Sequence, residues 1–247
     1  MADHSMLHEW IESVRQRQTP EWCDWALQGI QGAVVFHLGA FCDIPPGKPE
    51  HWQILKPPYP VTALEFTYEL EHVRKAGLLL CVESFDADGF YVIPAEKVRG
   101  GGWITGEPIR GWRNEAGALI FETSSKTEPS GVLMARWALA ATVFNLLQCV
   151  NVQAIDNPAP QRLNAKRVAK GNVPLYSFKT LCLGLPNERC NGAALGGTHA
   201  SPRLHLRRGH IRHLGEGRRV WVQSCVVGSG PGVVEKDYRL VAKAAAA

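Results

Sequence analysis

The chain carries a dense run of arginine and histidine, RLHLRRGHIR, at positions 203–212. Guanidinium groups bind phosphate oxygens with two parallel hydrogen bonds, and imidazole can give and accept a proton near neutral pH. The run therefore predicts contact with a polyanion such as RNA, or acid–base chemistry on one. Its candidate partner-binding residues are Arg203, His205, Arg207, Arg208, His210, Arg212 and the facing Arg219.

Three interpretations of this run stay open. In the first, the cations form a strip that contacts phosphates. In the second, His205 and His210 are the acid–base pair of a metal-independent ribonuclease. In the third, the histidines and arginines hydrogen-bond the acidic body and hold a C-terminal hairpin in place. Because no nucleophile or carboxylate partner lies nearby in the sequence, we assign no catalytic residue and favour a binding protein over an enzyme.

A second basic segment comes earlier and contains Lys166, Arg167 and Lys170. It extends the basic surface if the fold places it beside the first run, and it is otherwise a solvated turn between a helix and a strand. Tyr176 and Phe178 follow it, and aromatic rings of this kind can stack on bases.

Charge is segregated along the chain. Residues 1–160 contain 12 Lys and Arg against 19 Asp and Glu, whereas residues 161–247 contain 15 against 4. The first part therefore has a net charge of −7 and the second a net charge of +11, which together give the formal +4. Such asymmetry indicates a polyanionic partner, or mutual neutralisation of the two parts across an interface.

These side chains must be positioned by the elements that precede them. Apolar residues at three- and four-residue steps predict a helix over 5–17, and a nearly uncharged apolar segment predicts a long helix over 130–150. Short β-rich runs between turns predict strands at 34–38, 61–68, 78–82, 90–93, 118–121, 152–155 and 175–183. Residues 203–228 read as a hairpin that turns at Gly215–Gly217.

The expected fold class is α+β. We expect a body over 1–156, in which a mixed or antiparallel sheet packs on the long apolar helix. A basic C-terminal β extension over 157–243 packs on that body.

No cofactor motif is present, and we expect neither a cofactor nor a metal ion. The seven cysteines show no CxxC spacing, so a zinc site drawn from Cys182, Cys190 and nearby histidines is disfavoured. No run of 18 apolar residues occurs, and the first residues lack the pattern of a secretory signal. We therefore expect a cytoplasmic protein with no membrane partner.

The C-terminal motifs resemble those of a known family. The stretch from Gly197 to Arg212 is followed by the aromatic strand Val220-Trp221-Val222, and the basic segment at 163–171 precedes both. Together they are similar to phage- and plasmid-encoded proteins that include the type V anti-CRISPR inhibitor of effector production. The similarity begins at Asn157.

This resemblance implies an inhibitor carried by mobile DNA. Its partner would be a CRISPR effector protein or ribonucleoprotein, or the nascent chain and message of the effector, with a basic surface that contacts RNA. The resemblance implies a binding role only for the residues of the basic motif, which are His205, Arg207, Arg208, His210 and Arg212. A pure protein-binding module is the alternative to RNA contact.

Overall fold

The computed structural model describes residues 5–16, 27, 29–40, 52, 55–70, 73–84, 88–124, 131–183, 205–207, 210–222 and 225–227. Helices with described bounds are α1 (Leu7–Arg15), α2 (Gly131–Leu146) and α3 (Gln161–Ala169). Strands are β1 (Val34–Ala40), β2 (Val61–Leu70), β3 (Val73–Glu83), β4 (Gly89–Lys97), β5 (Trp103–Thr105), β6 (Ile109–Arg113), β7 (Leu119–Thr123), β8 (Val152–Asn157), β9 (Phe178–Leu183), β10 (His205–Arg207), β11 (His210–His213), β12 (Arg219–Val222) and β13 (Cys225–Val227).

Nine of the described strands form one mixed sheet. Its order is β7-β6-β4-β3-β2-β1-β9-β8, and β5 pairs with β4. Strands β2 to β7 pair antiparallel with one another, whereas β1 is parallel to both β2 and β9. The α+β class with a mixed sheet is therefore confirmed. The C-terminal part of the chain supplies β9, which lies inside the sheet between β1 and β8.

The central strands of the sheet are buried on both faces. Along β3, Leu78 and Leu80 belong to the core under α1, and the alternating Leu79 and Cys81 belong to the core under α2. This alternation follows from the two-residue period of a strand. A continuous apolar run is typical of such a strand, because both of its faces need apolar side chains.

Helix α1 is fastened to the sheet by a buried carboxylate. Glu65 is fully buried, and its Oε1 accepts hydrogen bonds from the Ser5 hydroxyl at 2.6 Å and from the Leu7 amide at 2.7 Å. The carboxylate therefore caps the positive end of the helix. Its other oxygen lies 3.6 Å from His37 Nδ1.

The C-terminal half of helix α2 packs on the face of the sheet opposite α1. Trp137 is fully buried, stacks on Phe90 at 4.6 Å and donates its indole N–H to the Phe90 carbonyl at 3.2 Å. A Cβ on Gly111 would lie 2.4 Å from the Trp137 ring. Glycine is thus required there for the helix to approach β6.

Most elements expected from the sequence are found among the described residues. Two expectations need correction. The strand expected over 175–183 begins only at Phe178, because Asn164 binds the backbone of Leu175 and holds it out of the ladder. The sequence patterns do not predict strands β5 and β6.

The described part of the chain has no helix that is both long and apolar enough to span a membrane.

Candidate nucleic-acid interface

Helix α3 is the first basic element, and none of its residues is buried. Among the described residues, two of its side chains attach it to the body through hydrogen bonds. Asn164 donates to the Leu175 carbonyl at 2.9 Å and accepts from the Leu175 amide at 2.7 Å. This pair of bonds reproduces the pairing that a strand backbone would make, so the side chain acts as a short piece of strand.

Arg167 is the second attachment. Its Nε donates to the Val173 carbonyl at 2.8 Å, and its Nη2 donates to the carboxylate of Glu12 on α1 at 2.7 Å. Glu12 also accepts the amide of Val173 at 3.2 Å. The expectation that Arg167 belongs to an outward basic surface is therefore wrong, because its guanidinium is used to hold α3 against the body.

The opposite side of α3 displays a row of cations. Arg162, Lys166 and Lys170 are all exposed, and they recur every four residues along the helix and its C-cap. Four residues advance the helix by about 6 Å and rotate it by about 40°. The three side chains therefore form one stripe, which lies on the side of α3 opposite Asn164. We call these three residues the basic stripe.

The basic stripe has no acidic partner in the part of the chain that the structure describes. No aspartate or glutamate occurs between positions 157 and 187, and the described residues contain no ion pair that involves the stripe. The nearest acid in the sequence is Asp156, which is bonded to Lys179 at 2.5 Å. Arg162 is not among the candidate binding residues predicted from the sequence. Its four-residue spacing from Lys166 is the pattern that indicates it.

The second basic element is the hairpin of β11 and β12. Its strands pair in register, with His210 opposite Val222 and Arg212 opposite Val220. Strands β10 and β13 continue the same register with His205 opposite Val227. The strands therefore pair as the predicted hairpin requires.

One face of the hairpin is packed on the body. Trp221 is buried against Leu146 and Cys149 at the end of α2, with Ile211 beside it. Asn151 again acts as a piece of strand: it donates to the Trp221 carbonyl at 2.7 Å and accepts from its amide at 2.8 Å. The Trp221 side chain and the Asn151 amide thus both hold the hairpin on the body.

Arg219 lies on the packed face. It is opposite His213 in the register, and it donates to the Asn145 side chain on α2 at 3.3 Å. Burial raises the pKa of the adjacent Cys149 thiol, and the Arg219 charge partly offsets that rise. The expectation that Arg219 joins His210 and Arg212 on one surface is therefore wrong, because successive residues of a strand point to opposite faces and Arg219 shares its face with His213.

The other face of the hairpin carries His210 and Arg212. Arg212 is exposed and His210 is half-buried. The turn that follows is tight, because Glu216 and Gly217 both have positive φ, 61° and 73°. Arg218 in this turn reaches Glu216 only at 3.9 Å, and both side chains are largely exposed. This face therefore displays a second, smaller set of cations.

The two basic elements are anchored on opposite sides of the sheet. Helix α3 is bonded to α1 through Glu12, whereas the hairpin is bonded to α2 through Asn145. The structure thus does not assemble Lys166 and Arg212 into one strip. Arg203 and Arg208 lie outside the described residues, and His205 and Arg207 are placed by their backbone in β10.

Comparisons of the chain with family models, with curated proteins and with solved structures found no match. The arrangement must therefore be interpreted from its own chemistry. Within the described ranges, no group of three histidine, cysteine, aspartate or glutamate side chains could hold a metal ion.

Proposed function

We propose that this protein is a non-enzymatic inhibitor of the anti-CRISPR type, and that it binds RNA of a CRISPR effector ribonucleoprotein or of the effector message. The anti-CRISPR assignment comes from the C-terminal resemblance. The RNA contact is supported by the basic stripe, and that is the observation on which the proposal depends.

The stripe has the properties that phosphate binding requires. Its three cations are exposed, evenly spaced and free of competing carboxylates on their own helix. Phosphate contacts by lysine and arginine supply most of the sequence-independent affinity of nucleic-acid-binding proteins. Within the described ranges, Asn164 and Arg167 make the hydrogen bonds that attach this helix to the body, so the stripe is left available to a partner.

The outer face of the hairpin is a second cationic surface. Because it is anchored on the other side of the sheet from α3, it contacts either a different segment of the same RNA or the protein component of the ribonucleoprotein. Substitutions made separately in the basic stripe and in the hairpin therefore measure how much each surface contributes to binding.

The test is a fluorescence-anisotropy titration with a single-stranded RNA at low salt. The triple variant Arg162→Gln, Lys166→Gln, Lys170→Gln should bind about tenfold or more weakly than the natural sequence. A control that loses the same charge elsewhere, Lys56→Gln, Arg74→Gln, Arg99→Gln, should bind within about twofold of it.

Two results would redirect the proposal. Natural protein that shows no RNA affinity at low salt, yet co-purifies with a nuclease-treated effector complex, would make it a protein-binding module. Cleavage of the RNA that is lost in His210→Ala would make it a ribonuclease. RNA that stays intact after long incubation agrees with the binding role.

A further inference from the structure

A cleft of about 660 Å³ lies beside the attachment of α3 and plays no part in the proposed RNA contact. It is bounded by the end of α1 at Arg15, by the first residues of β1 and β9, and by the segment 173–177. Its volume is within the range of sites that hold small organic ligands, which is roughly 300–1,000 Å³.

The inner wall of the cleft is apolar. Ile30 and Val35 are almost fully buried, and Leu175 and the ring of Phe178 complete this wall. Such a wall favours a flat, apolar group over a fully hydrated ion, because the hydrophobic contribution grows with the apolar area removed from water.

Three residues that line the cleft carry side-chain hydrogen-bond donors: Arg15, Gln31 and Tyr176. None of them has a hydrogen-bond or ion-pair partner among the described residues. Burial raises the pKa of Tyr176, and the nearby Arg15 charge opposes that rise. The phenol therefore keeps its proton and can donate it to an anion.

Among the described residues that line the cleft, Arg15 is the charged one without an ion-pair partner. The other two charged residues that line it, Lys179 and Asp156, bond each other at 2.5 Å, and this bond raises the pKa of Lys179. A ligand therefore meets one exposed guanidinium at the entrance and an apolar wall behind it.

We propose that this cleft binds a small aromatic anion, with its anionic group on Arg15 and the Tyr176 hydroxyl and its ring against Phe178 and Ile30. Two sources share this chemistry: nucleoside monophosphates and free aromatic carboxylates. The site is independent of RNA binding by the basic stripe, so either proposal can fail alone.

The experiment is isothermal titration calorimetry with adenosine monophosphate and, separately, with indole-3-acetate. We expect at least one of the two to bind with one-to-one stoichiometry. Binding of adenosine monophosphate alone would indicate the nucleotide source, and binding of indole-3-acetate alone would indicate the carboxylate source. Losing a charge-assisted hydrogen bond in Arg15→Gln should weaken binding by about tenfold, and Arg15→Lys should weaken it less.

Two controls make the result interpretable. Arg74→Gln removes an exposed cation from β3 and should leave the affinity unchanged, as should the triple variant of the basic stripe. An unchanged thermal transition of Arg15→Gln shows that the fold is intact. Absence of binding by both ligands at millimolar concentration, or equal affinity of Arg15→Gln and the natural sequence, would overturn the proposal.

Discussion

Arg167 donates a 2.7 Å hydrogen bond to the carboxylate of Glu12, which lies 155 positions earlier in the chain. Its sequence neighbour Lys166 is exposed on another side of the same helix. The basic C-terminal part of the chain therefore uses its cations in two ways. Some of these cations attach the basic part to the acidic body, as expected if the opposite charges of the two parts neutralise each other. Other cations face outward.

The first prediction concerns this attachment. Both side chains are only partly exposed, 21% for Arg167 and 34% for Glu12, so their interaction is less screened than that of a surface pair. In urea unfolding, a double-mutant cycle of Arg167→Gln and Glu12→Gln should give a coupling energy of about 1 kcal/mol. Additive effects of the two substitutions would show that the pair does not hold α3.

The second prediction concerns the clamp on the hairpin. Asn151→Ala leaves the Trp221 amide and carbonyl without their partner, so we expect a loss of about 1–3 kcal/mol in the free energy of unfolding. Hydrogen exchange of the Trp221 amide should become faster than in the natural protein. The exposed Gln153→Ala on β8 is the matched control and should change neither quantity. Unaltered exchange at Trp221 in Asn151→Ala would contradict the clamp.

The third prediction concerns the carboxylate under α1. Glu65→Ala removes the acceptor of both the Ser5 hydroxyl and the Leu7 amide inside the core, and should cost about 3 kcal/mol or more. Glu65→Gln keeps an oxygen at that position and should cost less. Chemical denaturation of both variants measures the difference. If glutamine were as damaging as alanine, the capping bonds would not be the reason for the loss.

The fourth prediction is a pH dependence. Burial, together with a hydrogen bond to Glu96, raises the pKa of Tyr68 from 10.0 to about 12. The folded protein then keeps a proton that the unfolded chain releases above pH 10. The contribution of Tyr68 to stability is therefore complete below pH 10 and is lost as the pH rises towards 12.

Ultraviolet titration of the tyrosinates checks this prediction. One of the five tyrosines should ionise near pH 12, and Tyr68→Phe should remove that component. A titration curve of Tyr68→Phe that retains the same late component would assign it to another tyrosine.

Local patterns in the sequence account for the elements whose partners are close in the chain. The amphipathic period of α1 and the paired β-rich runs of β3 and β4 predict their own structure. The position of β9 could not be predicted in this way. It pairs with β1, where Val35 lies opposite Phe178, and no local pattern indicates a partner that is so distant in the sequence.

Local patterns in the sequence also predict part of the candidate nucleic-acid interface. Lys166 and Lys170 are exposed, and their spacing identifies one side of a helix. Arg167 and Arg219 are cations of the same type, and only the fold shows that Glu12 and Asn145 bind them. Residue type thus predicts a basic region. Which of its cations bind the body and which face outward depends on contacts between residues that are distant in the sequence.

The salt dependence of RNA binding tests the central claim most directly. Each phosphate contact contributes about 0.7 to the slope of log affinity against log salt for a single strand, so removing the three cations of the basic stripe should lower that slope by about 2. The control variant that loses Lys56, Arg74 and Arg99 should keep the natural slope. A stripe variant with the slope of the natural protein would show that Arg162, Lys166 and Lys170 do not contact the RNA.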